Sequence, residues 1–402
     1  MGEDPLDVEP RALGARLREA REARGWTQQQ LADRLKVART TLVAIEKGER
    51  RVKARELVEM AALLGRSVAE LLQRGAPPEG FAVQLRDSLP TFASSDADLL
   101  SPIEEFQHLC EDYGRLEEIC QAPMRQRYPP EYEVQGTDPE TAAEDVAGAE
   151  RGRLGLGEGP LVNLRESLEG DVGLRIFQLE LPSRVAGMYT FTETLGGCIA
   201  VNLSHPLERR RASLAHEYGH FLTSRYRSEI LFADRYDRKP AGERFAEAFA
   251  RAFLMPAPGL RRRYLDLDRE RPRGATYGDL CRLAYFYTVS VEAMIRRLEE
   301  LRLIPAGTGD RLRQERFRVR EAGQLLGLAT SHVDDEPLSA RYVALAVEAW
   351  QREQLSEGQL ARFLRTDRLG VRRRIQRLGH ATNDRENEPI DLGEPLLRVA
   401  GR

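Results

Sequence analysis

The sequence is poor in several residue types, and each shortage narrows the reading. Among 402 residues there are four Cys (Cys110, Cys120, Cys198 and Cys281), with no CxxC pair. That argues against a disulfide framework and a cysteine-based zinc site, and it fits a reducing compartment. No run approaches the ~18 apolar residues that a membrane-spanning helix needs. The first ten residues, MGEDPLDVEP, are acidic and lack an apolar centre, which is not the pattern of a secretory signal. A cytoplasmic protein with no membrane partner is expected. Lysine is confined to Lys36, Lys47, Lys53 and Lys239, so nearly all positive charge is arginine. The net charge of −3 excludes a bulk polycation, and any nucleic-acid surface must be a local patch. There are only six His, so where they fall carries information.

What remains is the balance of a globular chain, 41% hydrophobic and 31% charged, long enough for two to four domains. GAPPEG (75–80) and PPEYEVQGTDPE (129–140) read as breaks. Periodicity predicts helices before the first break and again over 81–128. LRIFQLEL (174–181), GMYTF (187–191) and CIAVNL (198–203) read as strands. Helices are expected at about 207–224 and 241–254, the second ended by Pro256 and Pro258, and again from 275 to about 377. The expected fold class is α+β and mostly helical. It comprises an N-terminal helical bundle (10–75), a helical linker region (76–140), a small domain with a twisted sheet (141–260), a helical packing module (261–310) and a helical C-terminal region (311–402).

In the N-terminal module, a first helix runs to Gly25. Thr27 with Gln30 three residues on forms a capping box that opens the second helix, whose inner stripe is Leu31, Ala32 and Leu35. A third helix, with Leu42 and Ile45 inward, ends at Gly48. This is helix-turn-helix spacing. Residues 10–75 carry fifteen cationic and eight acidic side chains, a local excess suited to DNA although a solvated basic face is the blander explanation. Arg39 suits a guanine edge, and Gln28 a phosphate or an adenine edge. WTQQQLADRL and IEKGER resemble the Xre-type helix-turn-helix of phage repressors over about sixty residues. The resemblance implies a five-helix bundle with DNA contacts at Gln28, Arg39, Thr40 and Val43. It also implies operator DNA as partner, and a homodimer because each module reads a half-site.

The sharpest signal is ASLAHEYGHFL (212–222), in which His216-Glu217-Tyr218-Gly219-His220 is HExxH. Positions i and i+4 share a helix face, so both imidazoles can meet one Zn2+ with Glu217 beside the open position as general base. A third protein ligand is expected from GERFAEAFARAFLMP (242–256). There Phe245, Phe249 and Phe253 form a buried stripe, and Ala246 and Ala250 allow a close helix approach. Glu243 and Glu247 lie one turn apart on another face. The stretch from Glu243 to Glu247 resembles the ExxSD/ExxAD pattern of zincins whose third ligand is a glutamate. That implies Glu243 on the metal and Glu247 holding a ligand His through its far nitrogen. Glu in place of the usual Asp or Asn leaves the swapped assignment open.

CIAVNL, RASLAHEYGHFL and AFARAFLMP together resemble the ImmA/IrrE family of metallopeptidases over about 155–256. The resemblance implies a small zincin, a twisted sheet packed on two ligand-bearing helices. It implies a zinc endopeptidase that cleaves a repressor or antitoxin partner and releases stress-response or mobile-element genes. An edge strand would hold the substrate by β-augmentation, with CIAVNL the candidate. The competing function is a non-proteolytic transcription factor using this fold as a ligand sensor or dimerisation body. Tyr218, Tyr226 and Tyr236 are candidates for stabilising an oxyanion. Farther on, Ser356 and Gln359 form another capping box, followed by an Arg-rich helix with Arg372, Arg373, Arg374 and Arg377. A solvated cationic cap is preferred there over a second DNA-reading element.

Overall fold

A computed structural model describes residues 10–24, 26–64, 71, 85, 98–134, 136–232, 240–270, 275–328 and 336–373. The chain divides into two compact units, Met1–Gly80 and Phe81–Arg402. The fold class is α+β and mostly helical.

In the first unit, α1 (Pro10–Ala23), α2 (Gln28–Leu35), α3 (Arg39–Glu46) and α4 (Ala54–Leu64) surround Leu17, Leu31, Leu42, Ile45, Leu57 and Met60. The capping box forms: the Thr27 hydroxyl accepts from the Gln30 amide at 3.2 Å, and the Gln30 side chain accepts from the Thr27 amide at 2.8 Å. Gly14 lets α1 cross the end of α3, where any Cβ would collide with the Ile45 and Glu46 carbonyls. Arg21 and Glu46 form a buried fork, Nε–Oε1 2.7 Å and Nη2–Oε2 3.2 Å, tying α1 to α3. The fifth helix of the expected bundle would fall within 65–80, outside the described residues except Leu71.

The second unit begins with α5 (Leu100–Cys120) and α6 (Pro139–Arg153), the latter capped by Asp138 with Pro139 in its first turn. Strands β1 (Arg175–Leu179), β2 (Val185–Thr192) and β3 (Gly196–Asn202) follow, then α7 (Leu207–Thr223), β4 (Glu229–Phe232) and α8 (Ala241–Leu254). The chain continues through α9 (Ala257–Glu270), α10 (Tyr277–Tyr287), α11 (Val291–Glu300), α12 (Thr308–Gln314), α13 (Val319–Leu325), α14 (Ala340–Gln351) and α15 (Glu357–Phe363).

The sheet order is β1-β3-β2-β4. β1 runs parallel to β3, and β2 is antiparallel to both β3 and β4. This corrects the expectation for CIAVNL, which lies in β3 with a paired strand on each side and so is not an edge. Its seven buried residues explain why: an apolar run without alternation belongs to a strand covered on both faces. Among the described residues the edge strands are β1 and β4.

Side chains alternate across the sheet as the pleat demands. Ile176, Tyr189, Ile199 and Val201 join one core with α6, α7, α8, α10 and α11. Phe177, Met188, Cys198 and Ala200 join another with α5, α14 and α15. Phe106, Tyr113, Phe177 and Tyr342 meet edge-to-face in that second core, with centroids 5.2–6.3 Å apart. Helix α5, expected within a linker region, is therefore part of a core in its described length. Arg365 ties the end of α15 to Glu105 and Asp112 of α5, both at 2.7 Å, and Arg372 pairs with Glu357. Arg374 and Arg377 lie outside the described residues. Among those residues no helix is long and apolar enough to cross a membrane.

Candidate metal centre

The site begins with two helices that can touch. On α7, Gly219 sits between the two motif histidines, and a Cβ there would meet the Ala246 Cα at 3.2 Å and the Phe249 ring at 3.1 Å. Gly219 against Ala246 therefore sets the closeness of α7 to α8. Phe245, Phe249 and Phe253 line the buried stripe of α8, stacked successively at 6.0 and 5.2 Å. With that stripe committed to the core, the first turn of α8 turns Glu243 toward α7.

His216 and His220, one turn apart, bring their Nε2 atoms within 3.0 Å of each other. Glu243 bridges the pair, Oε2 at 3.4 Å from His216 Nε2 and Oε1 at 3.4 Å from His220 Nε2. Among the described residues, this is the one cluster of His, Cys, Asp and Glu with donor atoms close enough to hold a metal ion together. Donors about 2.0–2.1 Å from a tetrahedral zinc stand about 3.3 Å apart, so the spacing and the two-nitrogen, one-carboxylate set both fit zinc.

The charge states suit ligands. Burial pulls the His216 imidazole below its ordinary pKa and keeps it neutral. Burial alone would raise the Glu243 carboxyl, but bonding to the two imidazoles outweighs it and holds the group below the usual carboxylate range. Glu247, half-buried one turn farther along α8, adds its charge to the field at His216 but is not among the clustered donors.

Glu217 is fully buried, and neither carboxylate oxygen has a hydrogen-bond partner. Burial, then the charges of Glu229 and Glu243, push its pKa well above the carboxylate range. It sits over β2 at Gly187, where a Cβ would meet Glu217 Oε1 at 3.1 Å and the Ala200 carbonyl at 3.0 Å. Glycine at that point leaves room for the carboxylate.

Two participants escaped the sequence reading. Glu229, on the first residue of β4, places Oε2 3.5 Å from His220 Nδ1. A lone Glu entering a four-residue strand was its only signal. Behind α7, Glu150 of α6 is fully buried and takes hydrogen bonds from the Tyr132 hydroxyl at 2.8 Å, from Arg153 at 2.7–3.1 Å and from Tyr218. The Tyr218 hydroxyl is thus committed to Glu150 on the α6 side. Tyr226 is 69% exposed, edge-on to Phe191, and Tyr236 lies outside the described residues.

In the N-terminal unit, Arg39 and Thr40 are exposed on the first turn of α3, while Val43 is half-buried. Gln28 is half-buried too, and its amide donates to Glu46 Oε2 at 2.9 Å. It braces the Arg21–Glu46 pair from within.

Residues 17–71 match a family model described as helix-turn-helix, and residues 169–299 match the peptidase-family model described as IrrE N-terminal-like domain. The first match supports a DNA-binding module and the second a protease-like domain. No curated protein matches the chain. Among solved structures, ComR from Streptococcus suis aligns at 11% identity over 89% of this chain and 86% of that one. Its TM-score of 0.16 is too low to support a shared fold. The chain joins an N-terminal Xre-type helix-turn-helix domain to an IrrE N-terminal-like domain, the ImmA/IrrE architecture.

Proposed function

We propose that this protein is a DNA-binding transcriptional regulator carrying a zinc-dependent endopeptidase that cleaves a repressor or antitoxin partner. One observation carries the reading. His216, His220 and Glu243 converge within 3.4 Å of one another, beside a buried, unpartnered Glu217. His216, His220 and Glu243 would hold the metal. Zinc bound there would polarise the scissile carbonyl and supply a nucleophile at neutral pH.

The remaining steps belong to the chain. Glu217 takes the proton of the attacking water and returns it to the leaving amine. Its raised pKa favours that return, because burial makes the carboxyl hold the proton more readily than an exposed one would. Gly187 keeps its carboxylate over the sheet, and Glu247 supports His216 electrostatically. At the N-terminal unit, Arg39 and Thr40 read base edges, Val43 contacts the groove beside them, and Gln28, bonded to Glu46, reaches a phosphate or an adenine edge from the start of α2. A homodimer would read two half-sites.

The test is incubation of zinc-loaded full-length protein with the products of neighbouring genes. One defined cut is expected with wild type and none with Glu217→Gln, which should keep its zinc. A variant that cuts the same partner at the wild-type rate refutes the mechanism. Operator binding with no cut in any partner would favour the regulator without proteolysis.

A further inference from the structure

Strand β4 is only four residues long, yet its start is held by several side-chain hydrogen bonds. The turn between α7 and β4 is pinned by the Tyr189 hydroxyl, which donates to the Arg225 carbonyl at 2.6 Å. The Arg225 amide donates to Glu131 at 2.6 Å, and its guanidinium donates to the Pro129 carbonyl at 2.6 Å. Thr190 of β2 and Ser228 share a hydrogen bond of 2.7 Å immediately before the strand. Glu229 then pairs in register with Tyr189, which faces the α7 side of the sheet. The consequence is that Oε2 of Glu229 faces His220 Nδ1 at 3.5 Å, while the other nitrogen of the same ring faces Glu243.

We propose that Glu229 is a positioning residue that orients His220 for the metal from the edge strand, a role distinct from that of Glu247. The proposal rests on the zinc reading above. A neutral imidazole that gives its Nε2 lone pair to a metal carries its proton on Nδ1, and the carboxylate facing that proton is Glu229. Accepting it fixes the ring's tautomer and tilt and makes Nε2 a better donor. The pinned turn keeps this carboxylate in place, so the strand's position and the ring's orientation are set together. The two ligand histidines then have separate supports: Glu247 from α8 for His216, and Glu229 from β4 for His220.

The experiment measures Zn2+ affinity of the full chain by competition with a chromophoric chelator, alongside the visible absorption of the Co2+-loaded protein. Glu229→Ala should weaken Zn2+ binding about 10- to 100-fold, the usual cost of losing an outer hydrogen-bond partner. Its Co2+ bands should shift, while the circular dichroism and melting of the metal-free protein stay as in wild type. Glu229→Gln keeps an oxygen acceptor for Nδ1 and should recover most of the affinity. Zn2+ affinity within twofold of wild type in Glu229→Ala overturns the proposal while leaving the metal centre intact. A Glu229→Gln loss as large as that of Glu243→Ala also overturns it, by making Glu229 a ligand. Wild-type protein that binds no Zn2+ overturns this proposal together with the metal reading.

Discussion

Arg39 and Thr40 stand exposed on one turn of one helix, whereas His216, His220 and Glu243 are 5–7% exposed and come from two helices packed under a sheet. On the proposed function, the contrast follows from what each chemistry needs. Reading a base edge would require side chains that reach outward from a rigid helix, and in the first unit Arg21, Glu46 and Gln28 lock together at the buried end of α3. Holding a cation and moving a proton would be strengthened by shielding from bulk solvent, and in the second unit the groups proposed for that work are themselves buried. Their supports, Glu150 on one side and Glu229 on another, are drawn from α6 and β4.

That contrast can be broken at several points. The largest effect is expected at Glu217. Glu217→Gln should lower cleavage by at least about 10²–10⁴-fold with zinc stoichiometry unchanged, as measured by single-turnover assay and metal analysis. A loss of zinc instead would place Glu217 among the ligands. Next is the network behind α7. Glu150→Ala strands the Tyr132 and Tyr218 hydroxyls and Arg153 without their acceptor. Because Arg153 is partly exposed, the low end of the cost of breaking a buried pair applies, about 3 kcal/mol, read from a denaturant midpoint. A cost below about 1 kcal/mol would show that the network merely fills space.

Arg39→Ala should weaken operator binding by about 1–3 kcal/mol and relax preference at one base position, with zinc content unaltered. A uniform loss across DNA sequences would reassign Arg39 to a phosphate. The smallest effect is expected at Gly187. The added methyl of Gly187→Ala must displace Glu217 by a few tenths of an ångström, and about a tenfold loss of turnover with zinc retained is expected. Unchanged turnover would mean that the Glu217 position has slack.

Legibility followed the range of the interaction. The capping boxes at Thr27 and Ser356 span four residues, and both appear in the structure as their spacing suggests. HExxH is legible for the same reason, since a helix turn brings i and i+4 together whatever surrounds it. The helix boundaries at 207–223 and 241–254 fall within a residue of expectation. What was not legible is all long-range. CIAVNL reads as a strand, but whether a strand lies at an edge depends on partners elsewhere in the chain. Gln28 reads as a polar residue at a helix start, and nothing local reveals that its amide turns inward to Glu46.

What the sequence determined by itself was the chemistry on offer: two imidazoles and a carboxylate on one helix, a second helix with two candidate glutamates, and an arginine-rich helical module. Which glutamate faces the imidazoles was decided only by tertiary structure. Gly219 against Ala246 sets the approach of α7 to α8, and burial of the phenylalanine stripe sets the rotation of α8. Those two constraints together bring Glu243, not Glu247, to both rings. A helix repeats its faces every turn, so one sequence pattern offers both residues, and only packing chooses the turn that meets the neighbouring helix.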